Sequence, residues 1–60
     1  MRFRKGNLVY SSRAPLRGEG WPGVEVLGVV HAVIDEGIWV HWPGGIVCLH
    51  SPLDLTSIDN

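Results

Sequence analysis

Five residues, Ile38 to Trp42, lie between two turn signals: Asp35-Glu36-Gly37 before them and Pro43-Gly44-Gly45 after. A segment this short cannot sustain a helix, because the first helical turn fixes several residues for a single hydrogen bond. Its aromatic and β-branched residues suit a strand. Tight turns at both ends then make it the middle strand of two consecutive hairpins. Strand side chains alternate, so Trp39 and His41 share one face and Ile38, Val40 and Trp42 the other. With a three-residue loop at 43–45, Val40 pairs with Cys48, Ile38 with His50, and His41 with Val47.

The rest of the chain has the same punctuation. Gly6-Asn7 precedes a short apolar run, Leu8-Val9-Tyr10, and 11-SSRAPLRGEGWPG-23 reads as a long polar loop. In 24-VEVLGVVHAVI-34, β-branching and Gly28 favour a strand over a helix. Its even positions Val24, Val26, Val30, Ala32 and Ile34 are uniformly apolar and are assigned to the core. Gly28 is expected to mark a bend or bulge. Asp35-Glu36-Gly37 is expected to be a three-residue loop with Gly37 left-handed. Ser51-Pro52 opens a single helical turn, and Thr56-Ser57-Ile58 can close the sheet.

The expected strands lie near 7–11, 24–34, 37–42, 45–50 and 56–58. The fold class is therefore all-β: a five-stranded SH3-like barrel with one long loop after strand 1 and one helical turn before the last strand. Closure of the sheet limits exposed edges. Sixty residues make one domain, 1–60. A chain of this size buries only ~60% of its unfolded surface, so a disulfide, a metal or a partner commonly adds stability. Cys48 is the only cysteine, which rules out an internal disulfide and suits a reducing, cytoplasmic setting. The opening MRFRKGNLVY does not read as a signal peptide. No run approaches the ~18 apolar residues of a membrane span, so no membrane association is expected.

Two resemblances follow from this layout. The segment 5-KGNLVY-10, the loop, the "Gly-x-Val" strand and the hairpins look like SH3-like modules of the KOW and Tudor kind, a likeness that implies binding to RNA, DNA or protein. In addition, 18-GEGWPG-23, Leu27-Gly28, 36-EGIWV-40 and 45-GIVCLHSPLDL-55 fall in the order found in the plasmid-borne type II dihydrofolate reductases. That resemblance implies a homotetramer whose central pore holds folate and a nicotinamide cofactor. The family uses a Val-Gln-Ile-Tyr segment and a first-strand lysine. Val47-Cys48-Leu49-His50 and Ser11-Ser12 stand at those places here. The likeness therefore carries over the shape and not the reductase chemistry, and a pore enzyme is the third-ranked reading.

The residues give little support to catalysis or to a cofactor. His31, His41, His50 and Cys48 are the available nitrogen and sulfur ligands, but no C-x-x-C or H-x-x-x-H occurs. In the expected register His41 lies on the sheet face opposite Cys48 and His50, which disfavours a metal site. A strand cysteine is most often a small buried hydrophobe. The segment 18-GEGWPG-23 lacks the Lys-Ser/Thr and helix of a phosphate loop. No catalytic, cofactor-binding or metal-binding residue is assigned.

Charge supplies one alternative. All five basic residues (Arg2, Arg4, Lys5, Arg13, Arg17) precede all six acidic ones. Arg2, Arg4, Arg13 and Arg17, with Trp21 as a stacking platform, could contact nucleic acid, although a pI near 6.2 is low for such a binder. The first-ranked reading rests on the other face of the middle strand. With Val40 and Trp42 in the core, Trp39, His41, Val47 and Leu49 point outward together, joined by some of Leu27, Val29 and Val33. Contiguous apolar patches of this kind mark interfaces, and Trp is enriched among their anchors. The expectation is a non-enzymatic binding or assembly module whose partner is itself or another protein, most simply a homo-oligomer.

Overall fold

Both turn signals close hairpins. The computed structural model describes residues 3–58. Its strands are β1 (Leu8–Ser11), β2 (Gly28–Ile34), β3 (Gly37–Trp42), β4 (Ile46–His50) and β5 (Leu55–Ser57), with a 3-10 turn at Pro52–Asp54. They form one antiparallel sheet in the order β4-β3-β2-β1-β5. The β3–β4 register is the expected one: Ile38 faces His50, Val40 faces Cys48 and His41 faces Val47. Ser51 caps the 3-10 turn, its Oγ accepting from the Leu53 N–H at 3.2 Å. No helix among the described residues is long and apolar enough to cross a membrane.

The β2–β3 connection is tighter than the expected three-residue loop. Ile34 pairs with Gly37, so Asp35 and Glu36 alone make the turn, neither with a positive φ. Gly37 belongs to the strand, where a Cβ would sit 2.6 Å from the His50 carbonyl oxygen. Residues 24–27 are not in β2; Val24 and Glu25 form a turn instead. The cause lies across the sheet. The β2–β3 register leaves Gly28 level with Trp42, where β3 ends before Pro43, so Leu27 has no strand residue to pair with on that side.

The alternation along β2 also departs from expectation. Val30 pairs with Val40, but the next pair is Ala32 with Trp39, so His31 is an extra residue in a β-bulge. A bulge reverses which face the following residues take. Val30 remains in the core, whereas Ala32 joins the face of Trp39 and Ile34 is exposed. The assignment of Val24 and Ile34 to the core is thereby corrected; Val24 is exposed as well. The bulge that Gly28 was expected to mark falls at His31 instead.

The sheet is open by pairing, since β4 and β5 are its two ends and are not hydrogen-bonded to each other. The expected closed barrel is therefore reduced to an all-β, five-stranded antiparallel sheet with one 3-10 turn. Even so, a single core cluster joins both ends: Cys48 from β4 and Leu55 from β5 pack with Val9, Val30, Ile38, Val40 and Trp42. Phe3, Trp21, Val26 and Ile46 pack against it. The β4 edge is covered by the long loop, which we call the strap. Leu16 and Arg17 N–H groups donate to the Leu49 carbonyl at 2.7 and 3.3 Å, and the Leu49 N–H donates to the Arg17 carbonyl at 2.9 Å.

Candidate functional site

The outer face of the sheet carries one uninterrupted row. Pairing places Leu8 beside Val29, Val29 beside His41, and His41 beside Val47. The Ile58 N–H donates to the Leu8 carbonyl at 3.0 Å and extends the row at the β5 end. Leu8, Val29, Val47 and Ile58 are 38%, 39%, 40% and 50% exposed, and His41 is exposed too. Four aliphatic side chains and one imidazole thus cross the whole sheet without a charged residue among them. Beside the row, a shallow groove of about 330 Å³ is lined by Leu27, Val29, His41, Pro43 and Gly44.

The sequence-predicted interface maps onto this face only in part. His41 and Val47 lie in the row. Trp39 is half-buried, between Ala32 and Leu49 in the sheet. Leu49 is only 2% exposed and cannot act as an exposed interface residue. The strap explains this, since its backbone pairs with Leu49 and closes over that position. Val33 is 49% exposed, but it pairs with Ile38 and so stands outside the row. Leu8 and Ile58 were missed, although the alternation in Leu8-Val9-Tyr10 already places Leu8 opposite the buried Val9.

Of the residues proposed for nucleic acid, Arg13 and Arg17 each have an acid close by, and Trp21 packs against the core. Arg2 lies outside the described residues. Arg4 is exposed, and its backbone N–H donates to Asn7 Oδ1 at 2.8 Å. Arg13 lies 4.0 Å from Asp54, and Arg17 lies 4.0 Å from Glu36. Exposed pairs of this kind contribute at most ~1 kcal/mol to stability, but each places an acid beside its guanidinium. Trp21 is not an open stacking platform. It is half-buried against the core cluster, with its ring edge-on to His50 at 6.0 Å and 65°.

A second cluster lies inside. His50 is fully buried between Trp21 and Trp42, the latter ring at 5.4 Å and 70°. Edge-to-face aromatic pairs of this geometry contribute ~0.5–1.5 kcal/mol beyond area burial. Trp42 Nε1–H donates to His50 Nε2 at 3.2 Å. An indole N–H can only donate, so Nε2 must accept and the proton of neutral His50 sits on Nδ1. Among the described residues, His50 Nδ1 and Trp21 Nε1 are buried side-chain polar atoms without a hydrogen-bond partner. A buried donor left without an acceptor costs ~1–3 kcal/mol. Cys48 is buried two residues before His50, its Sγ donating to the Glu19 carbonyl at 3.8 Å, and burial raises its pKa. Positions 47–50, where the reductase resemblance points, thus expose Val47 alone. No cluster of three or more potential metal ligands occurs among the described residues.

Burial lowers the pKa of His50 below its usual 6.5, with the Asp54 carboxylate opposing that shift. Below pH 6.5 the unfolded chain therefore takes up a proton at this position more readily than the folded one. The stability contributed by neutral His50 is complete above 6.5 and declines as pH falls through that value towards the lowered folded pKa. The urea midpoint of the protein is expected to drop between pH 7 and pH 5. The drop should be smaller in His50→Gln, whose amide oxygen can accept from Trp42 without titrating. Equal slopes in the two proteins would show that His50 does not carry the effect.

Comparison of the chain with protein-family models, with curated proteins and with solved structures finds no match.

Proposed function

We propose that this chain is a small, non-enzymatic binding module of the SH3-like barrel type, and that it associates with a second copy of itself through the outer face of its sheet. The carrying observation is the row Ile58–Leu8–Val29–His41–Val47, apolar apart from one imidazole and exposed on β1 to β4 and just past the end of β5. Continuous apolar surface of this kind marks an interaction site on a protein this small. The barrel assignment rests on the shared core, which draws Cys48 and Leu55 from the two ends of the sheet into one cluster. A two-fold pairing of identical faces would lay row against row, as an isologous contact requires. The acids beside Arg13 and Arg17 and the inward position of Trp21 weigh against nucleic acid as the first partner.

Sedimentation velocity across a concentration series tests this reading. The natural chain is expected to shift from monomer to dimer as concentration rises. Val29→Lys, placed at the centre of the row, should weaken the dimer by about 30-fold, equivalent to ~2 kcal/mol. Leu53→Lys is the control: Leu53 is 90% exposed on the 3-10 turn, outside the row, and its replacement should leave the dimer unchanged. A natural chain that stays monomeric at its highest attainable concentration would remove the self-association reading.

A further inference from the structure

The buried Trp21–His50–Trp42 cluster has an unbalanced set of donors and acceptors. Trp42 Nε1–H uses the one acceptor nitrogen that neutral His50 offers. The two nitrogens left over, Trp21 Nε1 and His50 Nδ1, both carry hydrogen, so neither can satisfy the other. They belong to adjoining rings whose centroids are 6.0 Å apart, and both atoms are closed off from solvent. Two buried donors on adjoining rings lack acceptors, and a single oxygen can accept two hydrogen bonds.

The surroundings restrict that acceptor. A cation would be repelled by two donors. A bare anion would be stripped of its water at a position this buried, a cost that two neutral N–H donors do not repay. Trp21 packs against the apolar core cluster, to which Trp42 belongs. An uncharged oxygen fits all three conditions. We infer that Trp21 Nε1–H and His50 Nδ1–H form a two-donor site, closed over by the strap, for one uncharged acceptor oxygen, supplied by water or by a small neutral carbonyl compound.

Nuclear magnetic resonance on the ¹⁵N-labelled chain tests this. Both N–H protons are expected to show cross-relaxation to a long-lived water. Acetamide is the carbonyl probe. A saturable shift of both N–H signals would identify the occupant as exchangeable for a carbonyl, whereas water cross-peaks unaffected by acetamide would identify water; each supports the site. Absence of water cross-peaks together with absence of an acetamide shift overturns it. A second measurement uses the sign of a stability change. Sixty residues are within reach of chemical synthesis, so Trp21 can be replaced by benzothienylalanine, which keeps the ring size and exchanges the N–H for sulfur. If an acceptor occupies the site, the urea midpoint falls and the water contact at His50 is lost or weakened. If the donor has no acceptor, its removal raises the midpoint and the inference fails. Should the variant not fold, the spectra of the natural chain decide.

Discussion

Trp42→Ala is expected to leave this chain unfolded in water at 25 °C, with its near-ultraviolet dichroism gone and no cooperative urea transition. Trp42 is the largest fully buried side chain and is 1% exposed. Truncating a buried Trp to Ala costs ~3–5 kcal/mol through lost transfer energy and the cavity left behind. A core in a chain this small rarely supplies a net stability above ~3–5 kcal/mol. The substitution also removes the donor to His50 Nε2, so a buried acceptor loses its partner as well. Trp42→Phe separates the two effects. It keeps an aromatic ring in the core and should fold, with a lower urea midpoint because the hydrogen bond is gone. A native-like urea transition in Trp42→Ala would contradict the central place given to this side chain.

Gly28→Val is expected to cost about 3 kcal/mol, at the upper end of overpacking effects. A Cβ at position 28 would lie 2.6 Å from Trp42 Cε3 and 2.7 Å from Val40 Cγ1. Both neighbours are buried side chains of β3, held in the core and unable to swing into solvent. Gly28 thus lets the indole of Trp42 lie against the β2 backbone. The two positions should be strongly coupled. In a Trp42→Leu background the ring is absent, and Gly28→Ala should cost at least ~1 kcal/mol less than in the natural chain. Urea denaturation of the four proteins in this cycle measures the difference. Additive costs would mean that the destabilisation arises from the contact with Val40 or from backbone conformation and not from the indole.

These two residues also show where the sequence was informative. The turn signals around Ile38–Trp42 were sufficient to set both hairpins and the β3–β4 register, because tight turns leave little choice of pairing. They also separated the buried Ile38, Val40 and Trp42 from the opposite face. The bulge at His31 left no comparable mark. It lies in a run of β-branched residues with no glycine beside it, and one unmarked extra residue was enough to reverse the inferred faces of Ala32, Val33 and Ile34. Leu49 and Trp21 were misplaced for another reason. Their burial depends on where the long loop runs, and that is settled by backbone hydrogen bonds between distant segments, to which local alternation is blind. The outer row was half legible: His41 and Val47 followed from the hairpin, whereas Leu8 and Ile58 required the β1–β2 and β1–β5 pairings.

The covering of β4 by Leu16 and Arg17 bears on the order in which the molecule assembles. The hairpins β2–β3 and β3–β4 join neighbours in the chain and can form early. The contact between Arg17 and Leu49 closes a far longer loop, and such closures come late because their entropy is lost before the bond is gained. Until that contact forms, β4 is a bare edge carrying the apolar stretch Ile46–Leu49, a template for pairing with another chain. The strap is therefore a guard that arrives after the strand it protects. The folding chain is most exposed to misassembly in the interval between hairpin formation and strap docking.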